Sequence, residues 1–250
     1  MLRLLVDTSV WLDLAKRRDG QRWIVPLRVL ASQARLELLV PSLVLDEFER
    51  NRPRAEAAVS ASVLERFRLL RRYLHELAGD EHRAWLEEMT RHIPLLSALA
   101  LQNFSEIVEL LYHGRRVEPT DAEHARVVRR ALDKTAPFHL NKNSVADALL
   151  IELYRSTIER GDMGDHYGFV TSNYQDFSLP NGDRRQPHPD LTPLFHRAHS
   201  RYLYEVDGLD AVLIDSFGAE LELYQQQGRD ADAARVRQQL NDLDQHSDAR

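Results

Sequence analysis

The chain has no cysteine in 250 residues. Disulfides and thiolate-held metals are therefore excluded, and the composition fits a reducing, cytoplasmic setting. No apolar run approaches ~18 residues, so no helical membrane span is expected. The N-terminal segment has one arginine and a short apolar stretch that already contains Asp7, which is not the pattern of a secretory signal. The two-histidine helical spacing that suits zinc is also missing. Positive charge is in deficit, with 33 Lys and Arg against 39 Asp and Glu and a net charge of −6. A polyanionic ligand would have to be held by local basic patches against a mildly unfavourable overall field. The stretch from about Arg54 to Asp133 shows no fixed-period repeat that would make a solenoid, and no low-complexity linker separates it from the rest. What the chain does have is a globular balance of 43% hydrophobic and 29% charged residues. At this length that allows one large domain or two small ones with a sizeable core.

The most informative stretch is Leu4-Leu5-Val6-Asp7-Thr8-Ser9-Val10-Trp11. Its unbroken apolar run predicts a strand over residues 2–7 that is buried on both faces. Asp7 ends that strand, at the edge of an open parallel sheet where ligands bind. Asp13 to Arg22 reads as a short helix end or a loop, and Trp23 to Ala34 has helical spacing. Leu36 to Val40 is a second strand, stopped by Pro41. Ser42 is placed to cap the helix that opens Leu43-Val44-Leu45-Asp46-Glu47-Phe48. Strand, helix, strand, helix argues for an α/β fold around a parallel sheet.

From about Arg54 to Asp133 the strand signals vanish. Helices are predicted over Ala55 to Leu77, Glu81 to His92, Ser97 to Tyr112 and Thr120 to Leu132, the last opened by a capping-box pattern at Thr120 and Glu123. The block reads as a large helical insertion in one crossover. The α/β pattern then resumes. A helix runs from Ser144 to about Arg160 and stops at Gly161. A strand follows at Tyr167 to Thr171, then a surface loop over 180–193 and a last strand at Tyr202 to Val206. An amphipathic helix from Leu209 to Gln227 leads into a polar tail that frays by Asp248. Residues 1–206 are thus expected to form one unit, with the insertion at about 54–133, and 207–250 a C-terminal helix and tail.

Several oxygen-bearing side chains fall at equivalent places. Asp7 ends the first strand, Glu47 lies in the first turns of the helix after the second, and Asp147 lies in the first turn of the helix at 144–160. Asn173 and Asp176 lie in the turn after the strand that ends at Thr171. Strand ends and the starts of the following helices share one edge of a parallel sheet, so these residues are expected to converge. Carboxylates in one pocket repel, and a divalent cation holds them together. An all-oxygen set points to Mg²⁺ or Mn²⁺. Each residue also has an ordinary reading. Asp7 or Thr8 could cap a helix, Glu47 could serve the helix dipole, and Asp147 could pair with Ser144 in a capping box. Asn173 and Asp176 could be plain turn residues. The coincidence of position is what favours a site.

The segments Leu4 to Trp11, Val40 to Glu47, Asp147 to Leu150 and Phe169 to Phe177 resemble, in order and type, the successive motifs of PIN-domain nucleases, a family that includes VapC-type toxins of toxin–antitoxin pairs. The resemblance covers residues 1 to about 53 and about 140 to 206. It implies a PIN-like α/β/α sandwich with a central parallel sheet, and Mg²⁺- or Mn²⁺-dependent endoribonuclease activity. On that likeness Asp7, Glu47, Asp147 and Asp176 are the catalytic acids. Together with Asn173, where an Asp is common, and Ser9 they form the metal set. RNA is the implied substrate and DNA the alternative. An antitoxin or other protein is the implied partner class, with a homodimer one assembly left open. The block at 54–133 departs from small toxins of this kind and fits a larger subfamily in RNA processing or phage defence.

Substrate grip is expected from Arg66, Arg68, Arg71 and Arg72, or from Arg129 and Arg130, contacting phosphates without reading sequence. Their ordinary reading is a solvated helix face laced with acids such as Glu65 and Glu76. None of the 11 histidines forms a pair assignable to catalysis. Two rivals are weighed. A haloacid-dehalogenase-type phosphatase needs a second Asp two residues after the first, where this chain has Ser9. A catalytically inactive PIN-like scaffold for RNA or protein is suggested only by Asn173.

Overall fold

The computed structural model describes residues 1–77, 93–140, 142–162, 164–195, 199–218, 220–227, 229–230, 233–234 and 237–238. The first apolar run is strand β1 (Leu2–Val6), with Leu4 and Leu5 fully buried. It pairs in parallel on both sides, with β2 (Leu36–Pro41) and with β4 (His166–Thr171). β3 (Arg115–Val117) extends the sheet beyond β2, and β5 (Ser200–Tyr204) extends it beyond β4. The order is β3-β2-β1-β4-β5, so the chain reverses its direction of travel across the sheet between β1 and β4.

Helices cover both faces. On one face α6 (Val145–Arg160) sets Tyr154 against Phe169 of β4, with ring centroids 5.5 Å apart. Phe177 of α7 (Tyr174–Phe177) and Phe195 of α8 (Thr192–Phe195) close around the same ring. α5 (Asp121–Asp133) packs on α6. On the other face α1 (Thr8–Lys16), α3 (Ser42–Leu77) and α4 (Ile93–His113) pack on one another. α2 (Gln21–Ser32) joins them against β2, and α9 (Glu205–Phe217) packs on β4 and β5. The expected α/β/α layering around a parallel sheet is what the chain adopts.

The sequence led to the expectation of an all-helical block from about Arg54 to Asp133, and the structure corrects this, because β3 lies inside it. Three residues reading Arg-Arg-Val carry no apolar run, and an edge strand needs none: its charges face solvent and discourage further pairing. Gly114 lets it approach β2, since a Cβ there would come within 2.4 Å of Val40 Cγ2. α3 and α4 are thus the crossover from β2 to β3. α3 continues unbroken through Pro53 for 36 residues rather than restarting near Arg54. The helix expected at Glu81 to His92 lies outside the described residues. Ser42 is the first residue of α3, and its hydroxyl donates to Glu118 at 2.8 Å. Part of the stretch expected as a helix end or loop, Asp13 to Arg22, belongs to α1. The turn that follows is tied by Asn103, which accepts from Gln21 and donates to the Arg17 carbonyl, each at 2.8 Å.

The α5–α6 contact is ionic. Glu123 and Glu152 are both buried. Glu152 takes Arg126, Arg130 and Arg155, and Glu123 takes Arg126, Arg160 and the Ser156 hydroxyl. The expected capping box is present, with Thr120 N donating to Glu123 Oε2 at 2.8 Å. Burial pushes the Glu123 pKa up, but hydrogen bonds from Ser156 and Thr120 outweigh it and hold the carboxylate well below its usual range. Arg130 is buried in this network and also donates to the Ala136 carbonyl at 2.7 Å. It is therefore not the phosphate grip expected from the sequence, whereas Arg129 is exposed. Breaking a buried pair leaves an uncompensated charge. Arg130→Ala is expected to lower stability by about 3 kcal/mol in urea denaturation, against less than about 0.5 kcal/mol for Arg129→Ala.

Candidate functional site

Asp7 follows β1 where the strand order reverses, and its N–H continues the ladder to the Val170 carbonyl at 2.9 Å. It stands at the N-cap of α1, but its side chain makes no capping bond. Instead Oδ2 accepts from Ser9 Oγ at 2.7 Å and from Thr171 Oγ1 at 2.8 Å. Ser9 Oγ in turn accepts from Ser172 N at 3.1 Å, and Thr171 Oγ1 from Asn173 N at 3.0 Å. Two hydroxyls therefore lock the ends of β1 and β4 together through one carboxylate. Burial pushes the Asp7 pKa up, opposed by those two hydrogen bonds.

Asp147 occupies the first turn of α6. It is not the capping partner of Ser144, whose hydroxyl is buried without a hydrogen-bond partner. Its Oδ1 accepts from Asn173 Nδ2 at 3.0 Å. Its pKa is pushed up to about 7, first by burial and then by the charges of Asp176 and Asp7. Asp176, in α7, has no exposed surface. Its Oδ2 accepts from Asn173 Nδ2 at 2.5 Å and from Lys142 Nζ at 2.6 Å, while its Oδ1 is buried with no hydrogen-bond partner.

Three of the acids named from the sequence, Asp7, Asp147 and Asp176, thus lie within electrostatic reach of one another at the C-terminal edge of the sheet. Glu47 lies at the same edge, in the second turn of α3, but is half-buried and makes no side-chain hydrogen bond or ion pair among the described residues. The charges that raise Asp147 are those of Asp176 and Asp7. Asn173 was named as an oxygen ligand, yet it turns its amide nitrogen to the acids and uses its two N–H groups to space Asp147 from Asp176.

Sequence reasoning missed Lys142. The signal for it was a lone lysine in Asn141-Lys142-Asn143-Ser144, just before the helix whose first turn carries Asp147. It also missed the platform beside the cluster. Tyr174 follows Asn173, is 38% exposed, and carries the Arg184 guanidinium 3.9 Å above its ring centroid. Ser178 Oγ holds the Arg184 carbonyl at 2.7 Å, which fixes the loop that presents this exposed arginine.

The cluster suits a hard divalent cation in kind: all donors are oxygens, the negative charges are crowded, and one buried carboxylate oxygen lacks any partner. It is not drawn to a point. Among the described residues no three His, Asp or Glu side chains are gathered closely enough to hold a metal as they stand. Asn173 Nδ2 stands between Asp147 and Asp176, and Lys142 occupies Asp176 Oδ2. Two cavities of about 640 and 600 Å³ open at the opposite edge of the sheet, around Met1 and Ala34, and neither contains an acid of the cluster. No helix among the described residues is long and apolar enough to cross a membrane.

The raised pKa of Asp147 has a consequence for stability. In the unfolded chain an Asp loses its proton near ~3.9, whereas Asp147 in the folded protein keeps it up to about 7. The folded state thus binds the extra proton, and this contribution is full below ~3.9 and is lost as pH rises through about 7. Asn cannot titrate and resembles the neutral acid. The metal-free melting temperature of Asp147→Asn, relative to the parent, is expected to rise from about pH 5 to about pH 8. A difference that stays constant or shrinks over that range would place Asp147 outside the crowded cluster.

No curated protein and no solved structure matches the chain. A family model does: that of the PIN domain matches residues 4–177, a span that begins in β1 and ends on Phe177, one residue beyond Asp176. PIN domains are in general nucleases. Four of the five parallel strands, the reversal between β1 and β4 and the acids gathered at its edge lie within this match, and the chain belongs to the PIN-domain family.

Proposed function

We propose that the protein is a divalent-metal-dependent endoribonuclease whose site is built on Asp7, Asp147 and Asp176. One observation carries the reading. Asp147 is pushed up to about 7 by burial and by two neighbouring carboxylates at the sheet's switch point, a charge imbalance that a cation relieves. When bound, Mg²⁺ or Mn²⁺ supplies Lewis-acid polarisation of a phosphodiester. The chain's own residues set the site up for it. Ser9 and Thr171 fix the Asp7 carboxylate, and Asn173 orients Asp147 and Asp176. Glu47 is kept in the proposed shell because β1 and β2 end at the same edge. Arg184, held over Tyr174 next to the cluster, is assigned the phosphate contact that Arg130 cannot make. The exposed Arg66, Arg68, Arg71 and Arg72 on α3 are kept as further phosphate contacts, with Arg68 3.6 Å from Glu65. RNA rather than DNA rests on the motif likeness.

A second reading, an inactive scaffold, is favoured by one feature: Asn173 and Lys142 already satisfy part of the acid cluster. Cleavage assays on single-stranded RNA and DNA with Mn²⁺, Mg²⁺ or EDTA separate the two. RNA cleavage abolished by EDTA is expected, falling about 100-fold or more in Asp7→Asn and in Asp147→Asn. Cleavage in EDTA, or full activity in both variants, would sink the metal site, and no cleavage of any substrate would favour the scaffold. Arg184→Ala is expected to weaken binding of single-stranded RNA about tenfold in anisotropy titrations, with the melting temperature unchanged.

A further inference from the structure

The basic residues of the chain are almost all arginine. Its only lysines are Lys16, Lys134 and Lys142, among 33 basic residues. One of these three stands in the acid cluster, with Nζ 2.6 Å from Asp176 Oδ2. The choice of side chain matters physically. A guanidinium grips a carboxylate through two parallel hydrogen bonds, whereas an ammonium is a compact point charge on a flexible stem. The first is suited to permanent pairing, as in the Arg network around Glu123 and Glu152. The second is suited to leaving.

The surroundings of Lys142 fit departure. Its side chain is 39% exposed while that of Asp176 is 0% exposed, so the lysine reaches a buried acid from the mouth of the site. The loop that carries it is anchored upstream. Ala136 N donates to Asp190 Oδ2 at 2.8 Å, Arg130 holds the Ala136 carbonyl, and the His139 and His188 rings lie 4.5 Å apart. The backbone can stay in place while the side chain swings into solvent. Asp176 would then present the oxygen Lys142 releases beside its already unpartnered Oδ1. That explains how the cluster can suit a cation in kind and yet not be gathered to a point.

We infer that Lys142 is a resident counter-ion of the acid cluster, one that a divalent cation must displace from Asp176 in order to bind. The inference rests on the metal-site reading above. With no cation bound, the ammonium keeps Asp176 from being an uncompensated buried charge. With a cation bound, the same ammonium is repelled and freed toward the side from which a phosphate chain would approach.

The test uses the whole 250-residue chain and Mn²⁺ alone, and reads binding rather than cleavage. Free Mn²⁺ is followed by electron paramagnetic resonance, and brief amine acylation with mass spectrometry reports the exposure of each lysine at one fixed pH. Acylation of Lys142 is expected to rise about fivefold on Mn²⁺ saturation, as a freed side chain would, with Lys16 and Lys134 serving as internal controls. Lys142→Gln is expected to bind Mn²⁺ more tightly and to melt at a lower temperature without metal. Lys142→Arg is expected to bind Mn²⁺ more weakly with an intact metal-free fold. If Mn²⁺ binds the parent protein but Lys142 acylation is unchanged or falls, the displacement is wrong and the metal site stands. Mn²⁺ affinity unchanged or weakened in Lys142→Gln overturns it equally. If the parent protein binds no Mn²⁺, the metal reading itself fails and the inference with it. The acylation arm needs no variant, so misfolding of Lys142→Gln does not blunt the test.

Discussion

The parallel pairing of β1 on both of its edges is the constraint on which the rest of the structure depends. A strand with a parallel neighbour on either side must be covered by helices on both faces. Leu4, Leu5, Val10 and Trp11 are accordingly buried. The pairing also sets where chemistry can happen. Because β2 and β4 lie on opposite sides of β1, the strand order reverses there, and open α/β sheets bind ligands at the C-terminal edge of such a reversal. Asp7 stands at that edge, bonded to the end of β4 through Thr171.

Two groups of buried acids show how the same residue type serves stability in one place and chemistry in another. Glu123 and Glu152 lie between α5 and α6, each met by several arginines, and hydrogen bonding keeps Glu123 ionised. Asp7, Asp147 and Asp176 lie at the sheet edge with hydroxyls, one amide and one lysine for company. Their negative charge is under-compensated, and the strain appears as the raised pKa of Asp147. Perturbation by burial together with neighbouring like charge is a mark of functional sites. The fully paired network is the internal contrast that gives the observation weight.

Much of this was legible in the sequence because burial on both faces leaves a local trace. β1, β2 and β4 are apolar runs, and each ends in a break that the next helix begins. The positions of Asp7 and Asp176 follow from those runs, since a residue at the end of a parallel strand or the start of the next helix has only one edge to occupy, and Asp147 opens the helix that runs back to the start of β4 and so begins at the same edge. The helix at Thr120 was legible for a similar local reason, the three-residue spacing to Glu123.

What the sequence by itself determined, then, was the order of elements and the edge at which the acids stand. Only the tertiary structure decided which side chains touch. Thr171 meets Asp7 across 164 residues, and Asn173 turns its nitrogen rather than its oxygen to Asp147 and Asp176. Arg130 is buried while its neighbour Arg129 is exposed, and Glu47 makes no side-chain hydrogen bond or ion pair among the described residues. β3, three residues long and charged, exists because Gly114 lets it lie close against β2. The physical reason is common to all of them. Periodicity encodes which face of an element is buried. A partner's identity depends instead on strand register, helix rotation and the few ångströms between charges, and no single segment of the chain carries that information.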